Sequence, residues 1–139
     1  MKKTINSDEV QLRVRYSETD QMSVVYHGNY IPYFEIGRVE WLRNKGVSYK
    51  SLEEEGIALP IVSMTVNYKK SARYDDLLTI KTKLSNYSTV KIAFDCEIWN
   101  EQGELLTTAS FLLVFIDLKT GRPMQPPLHI LEIIKNVLD

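Results

Sequence analysis

One segment of the sequence brings together residue types that could act on an electrophilic carbonyl. Asp20 lies in a polar stretch, and a predicted helix begins nine residues later at Asn29. The unpaired N–H groups at a helix start stabilise developing negative charge, and a carboxylate can attack a carbonyl or deprotonate water. Together they could hydrolyse an ester or a thioester. The alternatives are that Asp20 only forms a turn and that His27 is a surface or capping residue.

Signatures of other enzyme classes are missing. The sequence has no G-x-S-x-G, no G-x-x-x-x-G-K-[ST], no G-x-G-x-x-G and no H-E-x-x-H motif, so serine hydrolase, P-loop, dinucleotide-binding and zinc protease chemistry lack support. The two histidines, His27 and His129, are far apart, and Cys96 is the single cysteine. We therefore predict neither a metal ion nor an organic cofactor.

The composition is that of an ordinary globular protein. The 139 residues are 44% hydrophobic and 25% charged, which is close to the average. A chain of this length can bury a core without disulfides, and we expect one domain over residues 1–139. The formal net charge of -1 provides no strong field for nucleic acid or an anionic membrane, so neither is predicted as a partner.

Cysteine content and hydropathy indicate where the protein is found. The lone Cys96 cannot form an internal disulfide, which suits a reducing compartment. The longest apolar run, residues 111–116, is far shorter than the ~20 residues that span a bilayer. The first nine residues lack the apolar segment of a secretion signal. We expect a cytoplasmic protein with no export signal and no membrane insertion.

The elements that would position Asp20 are a strand before it and a helix after it. Residues 10–16 alternate apolar and polar side chains, as a half-buried strand does. After Asn29, a favoured N-cap residue, apolar positions follow helical spacing as far as Gly46. Residues 30–36 are apolar nearly all round, which predicts a buried central helix.

The rest of the chain has the pattern of strands. Alternating apolar residues predict four strands with turns between them, and two short helices accompany them; the strands cover residues 61–70, 78–86, 90–99 and 105–117, and the helices residues 48–55 and 128–138. The last strand is apolar on both faces, so we expect a second subunit or sheet to cover it. This order of elements predicts an α+β fold, with a curved antiparallel sheet wrapped around a long central helix.

The sequence resembles a known family. Residues 15–35 read RYSETDQMSVVYHGNYIPYFE, which closely resembles the signature of the 4-hydroxybenzoyl-CoA thioesterase family of hotdog proteins, in particular its acyl-CoA thioesterase branch. Residues 58–62 and 72–77 look like the family's second strand and the hairpin after it. The resemblance implies a hotdog fold and hydrolysis of acyl-CoA to a free acid and CoA. A thioesterase for acyl carrier protein, a dehydratase and a non-catalytic acyl-binding module are the alternatives.

The resemblance also implies roles for individual residues. Asp20 matches the catalytic aspartate, as nucleophile or general base. His27 matches the position whose backbone N–H binds the thioester oxygen, and in the acyl-CoA branch a histidine there assists. The residues that match those shaping the loop and the helix start are Tyr26, Asn29 and Tyr30. Glu35 matches a helix position that faces the acyl group, with an ion pair to Arg38 as the alternative.

Three further expectations complete the sequence-based hypothesis. The family usually has glycine where this chain has Ser23, which makes the shape of the loop an open question. A basic cluster at the end of the strand over residues 61–70 and in the turn after it could hold the phosphates of CoA, with a solvated hairpin end as the alternative; it consists of Lys69, Lys70 and Arg73. The resemblance implies a homodimer or homotetramer with sheets joined edge to edge and active sites at the interface.

Overall fold

A computed structural model describes residues 7–138. Residues 1–6 and Asp139 lie outside the described residues. Part of the expectation about export depends on residues 1–6. The helices are α1 (Tyr30–Asn44), α2 (Tyr49–Glu54) and α3 (Leu128–Leu138). The strands are β1 (Ser7–Arg13), β2 (Ile57–Ala58), β3 (Ile61–Tyr68), β4 (Leu77–Ser88), β5 (Lys91–Trp99), β6 (Leu105–Val114), β7 (Ile116–Asp117) and β8 (Arg122–Pro123).

The main sheet is antiparallel and has five strands. Its order is β1-β4-β5-β6-β3, and a small second sheet has the order β2-β7-β8. Helix α1 packs against one face of the main sheet, where it contacts β1, β4 and β5. This arrangement confirms the predicted α+β hotdog fold. No helix in the described part of the chain is long and apolar enough to cross a membrane.

One stripe of α1 forms the middle of the core. Its buried residues are Tyr30, Tyr33, Phe34, Gly37, Arg38, Trp41 and Leu42. Phe34 packs on Phe111 of β6 with ring centroids 5.5 Å apart. The helix ends before Gly46, whose φ of +89° is the left-handed conformation that glycine adopts without strain. The predicted helix is therefore confirmed, but Ile36 is 40% exposed, so its early turns are not buried on all sides.

Gly37 lets α1 approach β4 closely. A Cβ at this position would lie 2.5 Å from Thr82 Oγ1 and 2.8 Å from a methyl group of Ile80. We expect Gly37→Ala to destabilise the protein by about 1–2 kcal/mol, because overpacking outweighs the gain in helix propensity. Urea unfolding measures this change. Removing the Thr82 side-chain oxygen with Thr82→Ala should recover part of the loss, and a Gly37→Ala variant as stable as wild type would contradict the prediction.

The first strand has the predicted length but lies three residues earlier in the chain. β1 ends at Arg13, and Tyr16–Glu18 forms a 3-10 turn in place of the strand's last residues. The Glu18 carboxylate accepts the Arg15 backbone N–H at 2.7 Å, which closes this turn. Tyr16 is consequently 77% exposed, so the prediction that residues 10–16 form a strand, with Tyr16 on its apolar side, is wrong at this end.

The prediction of one strand over residues 105–117, apolar on both faces, is also wrong. β6 stops at Val114, and Ile116–Asp117 joins the small sheet. Thr108 and Ser110 lie on the face of β6 away from α1, and Ser110 donates a hydrogen bond to Asp95 Oδ1 at 3.0 Å. The middle of that face is therefore polar, although Leu112 lies on the same face one position further along the alternation.

The uncovered apolar surface lies at the edge strand β3. Met64 is directly paired with the buried Phe111 of β6 and therefore faces the same side of the sheet as α1. Within the single chain, however, Met64 is 50% exposed, as are Val62 (51%) and Tyr68 (49%). The surface that favours a second subunit is thus this edge, because α1 contacts β3 at its end, where Tyr30 meets Tyr68, and leaves Val62 and Met64 exposed.

Candidate functional site

A cavity of about 280 Å³ lies between the loop after β1, the start of α1 and the end of β3. It is lined by Asp20, Val24, Val25, His27, Tyr30, Tyr68, Lys69, Lys70 and Ser71. The sequence indicates five of these residues as candidates, namely Asp20, His27, Tyr30 and the two lysines. Residues almost 50 positions apart along the chain therefore meet around one cavity.

Backbone hydrogen bonds hold the carboxylate of Asp20 in place. The Asp20 N–H donates to the Val24 carbonyl at 2.9 Å, and the Ser23 N–H donates to the Asp20 carbonyl at 3.0 Å. The Met22 N–H donates to Asp20 Oδ1 at 2.8 Å. Among the described residues nothing donates to Asp20 Oδ2, so one oxygen anchors the side chain and the other remains available for chemistry.

Ser23 adopts the conformation that favours glycine. Its φ is +65°, in the left-handed region where a side chain costs roughly 1–2 kcal/mol. The Ser23 N–H still closes the tight turn back to Asp20. The serine therefore keeps the turn at the cost of local strain.

The chain enters α1 through a 3-10 turn, His27–Asn29. Because it begins the turn, the N–H of His27 has no partner in the described part of the chain, and neither does that of Gly28. Both groups lie just before α1, where the helix dipole places partial positive charge. Two adjacent free donors at this point could hold a developing oxyanion.

Tyr68 is a site residue that the sequence reasoning did not single out. Its hydroxyl donates to the His27 carbonyl at 3.1 Å, and its ring lies edge-on to His27 and Tyr30, with centroids 6.1 and 5.4 Å away. These contacts fix the turn that carries the free N–H groups. The position of Tyr68 beside the basic pair at residues 69–70 is the sequence signal that could have identified it.

Tyr26 and Asn29 support the turn without lining the cavity. The Tyr26 ring lies 4.5 Å from the His27 ring, and it packs so close to Gly28 that a Cβ there would be 2.6 Å from Tyr26 Cε2. Asn29 precedes α1 but makes no side-chain cap. Its amide instead donates to the Glu18 carbonyl at 2.8 Å, so the predicted capping role is replaced by a bond to the preceding loop.

Glu35, Arg38 and Arg73 also lie outside the lining of the cavity. Glu35 is exposed on α1, whereas the Arg38 guanidinium is buried 4.4 Å above the Phe111 ring. No ion pair joins them among the described residues, so that alternative for Glu35 is wrong. Arg73 pairs with Val24 through a backbone bridge, which brings the turn after β3 against the Asp20 loop.

Glu18 ties the Asp20 loop to α1. Its carboxylate accepts hydrogen bonds from the Arg15 N–H at 2.7 Å and from the Tyr33 hydroxyl at 2.9 Å. Burial alone would raise the pKa of Glu18, but these bonds and the Arg15 guanidinium outweigh burial and hold its pKa below the usual value. The ionised carboxylate therefore stabilises the folded loop.

We expect Glu18→Gln to lower the free energy of unfolding by roughly 1–2 kcal/mol at pH 7, since bonds to an ionised group are lost. Glu18 contributes fully to the free energy of unfolding above the pKa of the unfolded state, about 4.3. This contribution is lost as the pH falls through the lower pKa of the folded state. Urea unfolding of wild type and Glu18→Gln should show that the difference between their free energies of unfolding shrinks from pH 7 to pH 3. The matched control is Glu101→Gln in the turn between β5 and β6, where the side chain is exposed. A difference from wild type that does not depend on pH would contradict this role of Glu18.

A larger depression of about 480 Å³ lies on the opposite face of the sheet. Charged and polar residues of neighbouring strands line it, including Lys83, Asp95 and Ser110, and it contains neither a helix start nor a histidine. In the described part of the chain no cluster of histidine, cysteine and acidic residues could hold a metal ion. The cavity at Asp20 is thus the better candidate for an active site.

Comparison with known proteins identifies the family of the chain. The Thioesterase-like superfamily matches residues 14–134. The acyl-CoA thioester hydrolase YbgC of Escherichia coli O6:H1 is 35% identical over 124 residues, which cover 89% of this chain and 92% of that protein. The acyl-CoA thioesterase YbgC of Haemophilus influenzae is 30% identical over 123 residues, which cover 88% and 90%.

Solved structures show the same relationship. A DHNA-CoA thioesterase from Staphylococcus aureus matches with a TM-score of 0.88 and 35% sequence identity, covering 95% of this chain and 90% of that one. Sequence and fold therefore agree, and the chain belongs to the thioesterase-like superfamily of hotdog proteins.

Proposed function

We propose that the protein hydrolyses acyl-CoA thioesters, with Asp20 and the start of α1 as its catalytic groups. The observation that carries this proposal is that Asp20 and the turn with the free His27 N–H line one cavity. A carboxylate and an oxyanion-stabilising donor are the two parts that thioester hydrolysis needs when no metal takes part. The acyl-CoA thioesterases of Escherichia coli and Haemophilus influenzae support CoA as the carrier.

The free Asp20 Oδ2 would start the reaction. It either attacks the thioester carbonyl or removes a proton from the attacking water. The carbonyl oxygen would gain negative charge facing the His27 and Gly28 N–H groups, while the His27 imidazole assists at the cavity wall. If Asp20 attacks, the carbon–sulfur bond breaks to leave an acyl–Asp20 anhydride, which water then hydrolyses. If Asp20 acts as the base, hydroxide adds to the acyl carbon first and the carbon–sulfur bond then breaks. In both routes water supplies the hydroxyl of the free acid, and its remaining proton passes to the CoA thiolate.

The basic cluster at residues 69, 70 and 73 is proposed to hold the phosphates of CoA. Lys69 and Lys70 line the cavity, although Lys70 also forms an ion pair with Glu104. We expect the triple change of Lys69, Lys70 and Arg73 to alanine to raise KM for acyl-CoA severalfold with kcat nearly unchanged, because phosphate contacts act equally in the ground and transition states. Initial rates at low and high salt test this, and the effect should weaken as salt screens the charges. An increase in KM that does not depend on salt would count against phosphate binding.

A second copy of the chain is proposed to complete the site. Val62, Met64 and Tyr68 leave an apolar edge open beside the cavity, and a partner packed along β3 would cover it. A homodimer is the smallest assembly that does this, and a homotetramer could be built from two such dimers. Glu35, exposed on α1, would then face the acyl group across the interface. We also propose the cytoplasm as the location, since the single thiol is buried Cys96.

The test is release of free CoA thiol by the purified protein from a panel of aliphatic and aromatic acyl-CoAs. If only the aliphatic or only the aromatic acyl-CoAs are hydrolysed, that result identifies the class of acyl group in the substrate. Turnover confined to acyl groups on acyl carrier protein would favour the carrier-protein alternative. Tight acyl binding without any turnover would overturn the enzyme proposal and favour an acyl-binding module.

A further inference from the structure

An unusually exposed group of apolar side chains lies beside the candidate site. The four most exposed large apolar side chains in the described part of the chain include Met22 (78%), Tyr16 (77%) and Tyr74 (57%). All three belong to the loops that build the cavity, namely the segment around Asp20 and the turn after β3. Concentrated exposure of this kind marks a binding surface more often than isolated exposed residues do.

The two tyrosines form a right-angled corner. Their ring centroids are 5.7 Å apart, and the ring planes meet at 88°. Tyr74 is three residues after Ser71, which lines the cavity, so their Cα atoms are at most about 11 Å apart. The pantetheine arm of CoA is longer than this distance. A group at the far end of CoA can therefore reach the corner while the thioester lies at Asp20.

The charges around the corner favour a neutral planar group. Arg15 is paired with the Glu18 carboxylate at 3.2 Å, and Arg13 is paired with the Asp75 carboxylate at 3.9 Å. These pairs offset the local positive charge, so phosphates are better served by the lysines at residues 69–70. A flat aromatic ring, in contrast, can stack on one tyrosine and meet the edge of the other.

We propose that Tyr16 and Tyr74 form a stacking site for the adenine ring of CoA. The proposal rests on the proposed hydrolysis of acyl-CoA. It assigns the nucleotide end of acyl-CoA to the surface formed by Tyr16 and Tyr74. Adenine is the one planar aromatic group that every acyl-CoA carries, whatever its acyl chain. The tyrosines contribute to binding and leave the chemical step unchanged, because they lie away from the reacting carbonyl.

The experiment compares the double variant Tyr16→Ala/Tyr74→Ala with wild type on two substrates, acyl-CoA and the matching acyl-pantetheine, which lacks the nucleotide. We expect KM for acyl-CoA to rise roughly tenfold, as the loss of a stacked base does, with kcat unchanged and no change on acyl-pantetheine. The increase should persist at high salt, unlike that of the lysine variants. Tyr16→Phe/Tyr74→Phe should behave as wild type, because stacking needs the ring alone.

The matched control is Leu128→Ala, which removes a similarly exposed side chain (71%) from α3. Equal losses on both substrates, no change on either, or a changed oligomeric mass would overturn the stacking site. If wild type hydrolyses neither substrate, the proposed function fails instead. Calorimetric titration with AMP then still tests the corner, since the wild type should bind AMP and the alanine double variant should not.

Discussion

Asp20→Asn is expected to reduce kcat at least a hundredfold while leaving the protein folded. The amide keeps Oδ1, so it still accepts the Met22 N–H that anchors the side chain at 2.8 Å. It replaces Oδ2, the free carboxylate oxygen, with a neutral NH₂ group that neither attacks a carbonyl nor accepts a proton from water. A hundredfold loss corresponds to about 2.7 kcal/mol of transition-state stabilisation.

Steady-state rates of CoA release measure this change, and circular dichroism checks the fold. Asp95→Asn is the matched control, because Asp95 is also an exposed carboxylate but lies on the other face of the sheet. It should retain wild-type kcat. If Asp20→Asn keeps more than about a tenth of wild-type kcat, a loss below ~1.4 kcal/mol, Asp20 is not the central group.

Met64→Lys is expected to convert the protein to a monomer and to remove most of its activity. Met64 is half-exposed on the side of β3 that faces α1. A charge placed there would have to be buried in the proposed subunit interface, which costs several kcal/mol. Because the cavity lies beside this edge, separation of the subunits would also open the site to water.

Light scattering should give about twice the 16.1 kDa chain mass, or four times that mass, for wild type, and the mass of one chain for Met64→Lys. The matched control is Thr65→Lys, one residue along β3, because alternate side chains of a strand point to opposite faces. This control should remain assembled and active. A monomeric wild type with full activity would show that one chain forms the complete site.

Sequence periodicity was sufficient to predict the long helices and most of the long strands. The terminal helix at residues 128–138 was predicted with the bounds that the structure has, and the strands over residues 78–86 and 90–99 were predicted to within two residues at each end. The small sheet was not foreseen, because strands of two residues such as Ile57–Ala58 and Arg122–Pro123 are too short to show alternation.

Exposure was less predictable than element type. The apolar side of residues 61–70 has the alternation of a core strand, but at the sheet edge Met64 and Tyr68 remain half-exposed. Periodicity shows which side chains share a face, whereas the neighbour that covers the face is decided by strand order. Tyr16 follows the alternation of β1 but lies outside the strand, because the hydrogen bond from the Arg15 N–H to Glu18 closes a 3-10 turn at this point.

Local spacing and one contiguous motif were enough to predict the α+β class, the long helix after Asp20 and the family to which the chain belongs. The meeting of residues 68–71 with Asp20 and His27 around one cavity is visible only in the folded chain. The same is true of the His27 and Gly28 N–H groups, which have no partner among the described residues. Contacts between β3 and the start of α1 link residues about 40 positions apart. Such contacts follow from the packing of α1 on the sheet, which no local pattern specifies.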